Sequence, residues 1–129
     1  MKKRVTGIGG IFFKAQDPDK LGAWYEKHLG IEIETEATAS TFRWRHANDP
    51  EQKGATVWGV FPNDTDYFGA ASNQLMINYR VDDLDQVRAE LIAEGIQVTE
   101  IMDSKHGRFA WLIDPEGNRL ELWQAPADY

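Results

Sequence analysis

Glu121 stands in the segment Arg119-Leu120-Glu121-Leu122-Trp123. In a strand this alternation puts a carboxylate, an arginine and an indole on one face and two leucines on the other. A carboxyl surrounded by large apolar groups loses its water, which raises its pKa and makes it a candidate general base for taking a proton from carbon beside a carbonyl. The same split occurs twice more. Around Met76 the set Met76, Asn78 and Arg80 opposes Leu75, Ile77, Tyr79 and Val81, and in the first apolar segment Gly10, Phe12 and Lys14 oppose Ile11, Phe13 and Ala15. Such mixed faces are either solvated sheet surface or the lining of a cleft. Phe12, Trp58, Met76 and Trp123 together favour a cleft, which makes Phe12, Trp58, Met76, Asn78, Arg80 and Trp123 the expected contacts of a small molecule and Glu121 the expected catalytic carboxylate. An ion pair with Lys14, Arg80 or Arg119 would instead hold Glu121 ionised in a structural role.

Other chemistry is weakly represented. There is no cysteine, so thiolate ligands, disulfides and thiol nucleophiles are all excluded. His28, His46 and His106 share no metal-binding spacing. Ser40, Ser72 and Ser104 lack a nucleophile-elbow context, and Gly7-Ile8-Gly9-Gly10 precedes a strand rather than the helix a phosphate loop needs. Arg108 could neutralise an anionic ligand or sit exposed. The loop Pro62 to Gly69 brings Tyr67 and Phe68 near the expected cavity mouth, either as ordered packing or as a lid.

The elements that must position these residues follow a repeated pattern. Ile8 to Ala15 is expected as a strand, Asp17-Pro18 as the start of a helix through Leu29, Gly30 as its left-handed cap, and Ile31 to Glu36 as the next strand. Leu75 to Val81, Asp82-Asp83, the helix carrying Leu84, Val87, Leu91 and Ile92, Gly95, and Ile96-Gln97-Val98 repeat that order, with Asp17 falling on Asp82 and Gly30 on Gly95. Each half then continues into a hairpin, Thr41 to His46 with Ala55 to Phe61 around Asn48-Asp49-Pro50, and Arg108 to Ile113 with Arg119 to Trp123 around Asp114 to Asn118. The predicted fold is α+β, two βαβββ repeats (about 5–70 and 71–126) forming a curved mixed sheet that closes as a barrel around a cleft, in a single domain over residues 1–129.

The chain's 129 residues suit one core, 42% of them hydrophobic and 12% aromatic. A formal charge of −7, with no basic run longer than Lys2-Lys3-Arg4, opposes binding to nucleic acid. With no apolar stretch of membrane length and no secretory leader pattern, a soluble cytoplasmic protein is expected, and no membrane partner. Small sheets cover their edges by pairing, so a homodimer is expected.

The chain resembles the glyoxalase, bleomycin-resistance and dioxygenase (vicinal oxygen chelate) superfamily over nearly its whole length. Asp17-Pro18 through Trp24-Tyr25 to Leu29-Gly30, Tyr79-Arg80-Val81-Asp82-Asp83-Leu84, and above all Asp114-Pro115-Glu116-Gly117-Asn118-Arg119-Leu120-Glu121-Leu122 carry that resemblance. It implies two modules curling around a cavity, with metal ligands in many members on inward-facing strand positions. Carried over position by position, the ligand places fall on Gly10, Met76, a residue near Trp58, and Glu121. One carboxylate with a thioether and an indole is not a hard-metal site, so no cofactor is predicted and a divalent metal is a minor alternative. The resemblance implies a lyase or isomerase acting on a small oxygen-rich or aromatic molecule with Glu121 as base, or a non-catalytic protein that sequesters such a molecule as bleomycin-resistance proteins do. Extradiol dioxygenase chemistry would need ferrous-iron ligands that these positions do not supply.

Overall fold

The computed structural model describes residues 3–34, 36–127 and 129. Its elements run β1 (Val5–Ala15), α1 (Pro18–Leu29), β2 (Ala39–His46), β3 (Asp49–Pro62), β4 (Leu75–Val81), α2 (Leu84–Ala93), β5 (Met102–Ser104), β6 (Gly107–Ile113) and β7 (Arg119–Gln124). The strands form one curved mixed sheet in the order β2-β3-β1-β4-β7-β6-β5. The sheet is open rather than closed as a barrel, because β2 and β5 are edges that do not meet.

Both helices start and stop as their caps dictate. Asp17 accepts from the Lys20 amide at 3.1 Å with Pro18 in the first turn, and Gly30 ends α1 at φ 72°. In α2 the capping side chain is Asp83, accepting from Gln86 at 3.1 Å, and not Asp82. The repeat is therefore shifted by 66 residues at its helix starts rather than the 65 that aligns Gly30 with Gly95. The central strand pair agrees, since β1 and β4 run antiparallel with Ile11 opposite Ile77, its own counterpart 66 positions on, and with Gly10 opposite Asn78 and Phe12 opposite Met76. The two halves are thus related by a pseudo-twofold axis through the Ile11–Ile77 pair.

Two expected strands do not form. Ile31 to Glu34 and Glu36 lie outside the sheet, and Thr35 falls outside the described residues. The Ile33 amide is taken by the Glu26 carboxylate at 3.2 Å, and the alternating Glu32, Glu34 and Glu36 make a poor edge for ladder pairing. Ile96 to Val98 also stays outside, because the Arg88 guanidinium occupies the carbonyls of Val98 (3.5 Å) and Thr99 (2.7 Å). The strand of that half forms later, at Met102–Ser104.

Both helices cover one sheet face. Under α2, Val81, Leu84, Val87, Ala110 and Leu122 form a buried cluster. Under α1, Tyr25 packs on Phe13 and Trp58 at ring distances of 6.3 and 5.1 Å. The opposite face buries Phe68, Met76 and Trp111, flanked by Phe12, Phe61, Tyr67 and Phe109. Among the described residues no helix is long and apolar enough to cross a membrane.

Candidate functional site

Glu121 and Asn78 sit side by side on the helix-free face, because β4 and β7 pair in parallel with these two residues in register. Each is 2% exposed. The Asn78 amide nitrogen donates to Glu121 Oε1 at 2.5 Å, and Trp111 Nε1 donates to Oε2 at 2.8 Å. The Tyr67 hydroxyl also donates to Oε2. Trp111 is placed by the β6–β7 hairpin, which sets it directly opposite Glu121. Tyr67 comes from the loop after β3, where buried Phe68 anchors the turn.

Two effects oppose each other at this carboxyl. Burial raises its pKa above the ordinary carboxylate value, while the three donors and the nearby Arg119 favour the charged form and reduce that rise. Burial and the adjacent carboxylate push the Tyr67 phenol up as well, so it remains a hydrogen-bond donor. None of Lys14, Arg80 and Arg119 supplies these hydrogen bonds. Lys14 reaches the Ala71 carbonyl at 3.2 Å, Arg80 lies over the rings of Trp123 (5.1 Å) and Trp44 (5.8 Å), and Arg119 lies over Trp111 at 5.5 Å.

A cavity of about 280 Å³ opens beside this group. Phe12, Phe61, Tyr67, Phe109 and Trp123 form its walls, and Gly9, Asn78 and Glu121 its floor, with Glu34 and Thr41 also in the lining. Phe61 and Tyr67 stack at 5.5 Å and 14°, and Phe109 and Trp123 at 6.1 Å and 5°. Trp123 is fixed by its indole N–H, which donates to the His106 carbonyl at 2.9 Å. At Gly9 any Cβ would lie 2.1 Å from Asn78 Oδ1 and 2.9 Å from Trp123, so only glycine lets the floor close.

Phe12, Asn78, Glu121 and Trp123 therefore meet around one cavity. Met76 is buried behind it, and Arg80 lies over the Trp123 ring without lining the cavity. Trp58 is a correction: it is paired with Ile11 and packs on Phe13 and Tyr25 beneath α1, on the other face. Its neighbours Val57 and Gly59 face the cavity side, since one residue of register exchanges the faces. Arg108 is held at the surface by Asp85 and Asp103 at 2.6 and 2.7 Å. Of the histidines, His106 lines the cavity, while His28 packs at a tilt against Trp24 and His46 edge-on against Trp44. Among the described residues no three His, Cys, Asp or Glu cluster closely enough to hold a metal ion.

Trp111, Phe61 and Phe109 are site residues that sequence reasoning did not select, and Tyr67 was placed by it only in a loop near the cavity mouth. Trp111 and Phe109 were recoverable from the hairpin, because the five-residue Asp114–Asn118 turn sets Trp111 opposite Glu121 and Phe109 opposite Trp123. Nothing local signals that the Tyr67 hydroxyl crosses to β7.

A solved methylmalonyl-CoA epimerase, in complex with methylmalonyl-CoA and ammonium, matches with TM-score 0.66 and 20% identity over 92% of this chain and 93% of that one. The epimerase from Mycobacterium tuberculosis matches with TM-score 0.58 and 19% identity over 98% and 93%. A structure described as an NAD-dependent benzaldehyde dehydrogenase from Legionella pneumophila matches with TM-score 0.58 and 12% identity over 91% and 98%. At such identities the likeness shows the shared fold alone. No curated protein matches the chain. Residues 10–123 match the sequence pattern of the glyoxalase-like domain, and the chain belongs to that family, within the vicinal oxygen chelate superfamily.

Proposed function

We propose that this protein binds a small planar organic molecule in the cavity between Phe12, Phe61, Tyr67, Phe109 and Trp123. The observation that carries this reading is the two near-parallel ring pairs lining a cavity of about 280 Å³ with a buried polar floor of Asn78 and Glu121. Stacking on such walls favours a flat ligand, and the floor orients it. A divalent ion does not fit the donor set: N–H and O–H donors occupy both Glu121 oxygens, an indole N–H cannot coordinate, and the other places suggested by the family resemblance carry Gly10 and Met76. Binding of planar aromatic compounds is therefore expected to proceed in the presence of a chelator, to perturb tryptophan emission and to raise Tm by mass action. Absence of saturable binding across a panel of one- and two-ring compounds would sink this reading.

A second reading gives Glu121 a chemical role. Among the described residues its Oε1 accepts only the Asn78 bond and keeps a lone pair, while burial raises its pKa, so it is equipped to take a proton from carbon beside a ligand carbonyl. This reading also accommodates the epimerases of the same fold. Enzyme-dependent exchange of such a proton for deuterium in D2O, lost in Glu121→Gln, is its test.

A further inference from the structure

The acidic side chains of the cavity lining are Glu121 and Glu34. The floor carries the Glu121 carboxylate, and the lining includes the exposed Glu34, whose Oε1 is reached by the Thr41 hydroxyl at 3.5 Å. Among the described lining residues there is no lysine or arginine. The adjoining groove of about 570 Å³, which shares Phe12 and Phe61 with the cavity, has Asp19 as its charged lining residue. Two cations stand outside the lining, stacked against aromatic rings, Arg80 on Trp123 and Arg119 on Trp111, and Arg80 Nη1 and Arg119 Nε are buried there without a hydrogen-bond partner among the described residues.

A second, independent observation concerns Asn78. Its amide must turn the nitrogen toward Glu121, because the carboxylate only accepts. This orientation leaves Oδ1 buried beside Gly9, at the cavity floor, with no hydrogen-bond partner among the described residues. An unpaired buried acceptor is costly and is rarely tolerated without a role.

Resting on the cavity reading above, we infer that the ligand is a planar molecule that presents N–H donors and carries positive charge, of the amidine or amino-heteroaromatic class, and not a carboxylate or other oxyanion. Its donors meet Asn78 Oδ1 and the Glu121 carboxylate, and its charge is spread over the faces of Phe109 and Tyr67. An anion would face Glu121 in a poorly screened site.

The test uses three near-isosteric probes that differ in charge and donors: benzamidine, benzamide and benzoate. Each is titrated into the full chain at pH 7.5 by calorimetry and tryptophan emission. Benzamidine is expected to bind at least roughly tenfold more tightly than benzoate, the equivalent of one hydrogen bond to a charged group, with benzamide between them. Phe109→Ala should weaken benzamidine binding, which locates it in the cavity, and Glu34→Lys at the exposed rim should narrow the preference. Benzoate binding as tightly as benzamidine, and sensitive to Phe109→Ala, would overturn the cationic class while leaving the planar-ligand reading intact. No saturable response to any of the three would overturn both. Benzamidine binding indifferent to Phe109→Ala would place it elsewhere and also overturn the inference.

Discussion

The two halves of the molecule share a plan but have divided the work. Around the pseudo-twofold axis Phe12 is the counterpart of Asn78, and Gly59, which pairs with Phe12, is the counterpart of Glu121, which pairs with Asn78. Where the second half places an amide against a carboxylate, the first places a phenyl ring over a glycine whose added Cβ would lie 3.1 Å from Phe12. At these paired positions the second half places hydrogen-bonding groups and the first an apolar surface. The aromatic walls come from both halves, Phe61 and Tyr67 from the first and Phe109 and Trp123 from the second. The pair of equivalent sites that the repeat could have built has become a single asymmetric cavity.

That asymmetry predicts unequal effects of equivalent substitutions. The largest is expected for Glu121→Ala, which strands the Asn78, Trp111 and Tyr67 donors in the interior and should cost about 4 kcal/mol in urea unfolding. A loss below about 1 kcal/mol would show that the carboxylate is not their acceptor. Trp58→Ala should cost about 3 kcal/mol through lost packing on Phe13 and Tyr25 while leaving ligand affinity unchanged. Weakened binding in a folded Trp58→Ala would reverse the face assigned to this residue. Phe12→Ala, the first-half counterpart of the polar floor, should cost about 2 kcal/mol and reduce affinity for planar ligands, both readable from one set of thermal melts with and without ligand. Tyr67→Phe removes a single donor, for a loss of about 1.5 kcal/mol.

The smallest effect is a pH dependence. Glu121 has a raised pKa in the folded chain, so the native state binds more protons than the unfolded one between the ordinary carboxylate value and the raised one. Stability should therefore fall as pH rises through that window, and be fully restored below it. Glu121→Gln should flatten that part of the Tm profile, and an unchanged slope would assign the titration to another group. Binding of a cationic ligand should run the opposite way, weakening as Glu121 is protonated.

Much of this arrangement was legible in the alternation of side chains. The faces of β4 and β7 followed directly from Met76, Asn78 and Arg80 and from Glu121 and Trp123, because a strand's period of two leaves no freedom once one face must meet α2. The helix caps were equally readable, since Asp17 and Gly30 act within a few residues of chain. Trp58 was misplaced because its face depends on which β3 residue pairs with Ile11, a long-range fact. The choice between Asp82 and Asp83 as cap moved the repeat by one residue and made the same kind of difference.

The sequence by itself determined the repeated unit, the helix limits, and that Gly10 and Met76 stand where the family resemblance places histidine ligands. Only the tertiary structure decided that Glu121 is held by three neutral donors rather than by Lys14, Arg80 or Arg119, that Tyr67 crosses from a loop to reach it, and that Asn78 keeps a buried, unpaired oxygen beside Gly9. The physical reason is range: caps and alternation act over a few residues, whereas the partner of a buried carboxylate is chosen by strands and loops brought together from 43 and 54 positions away.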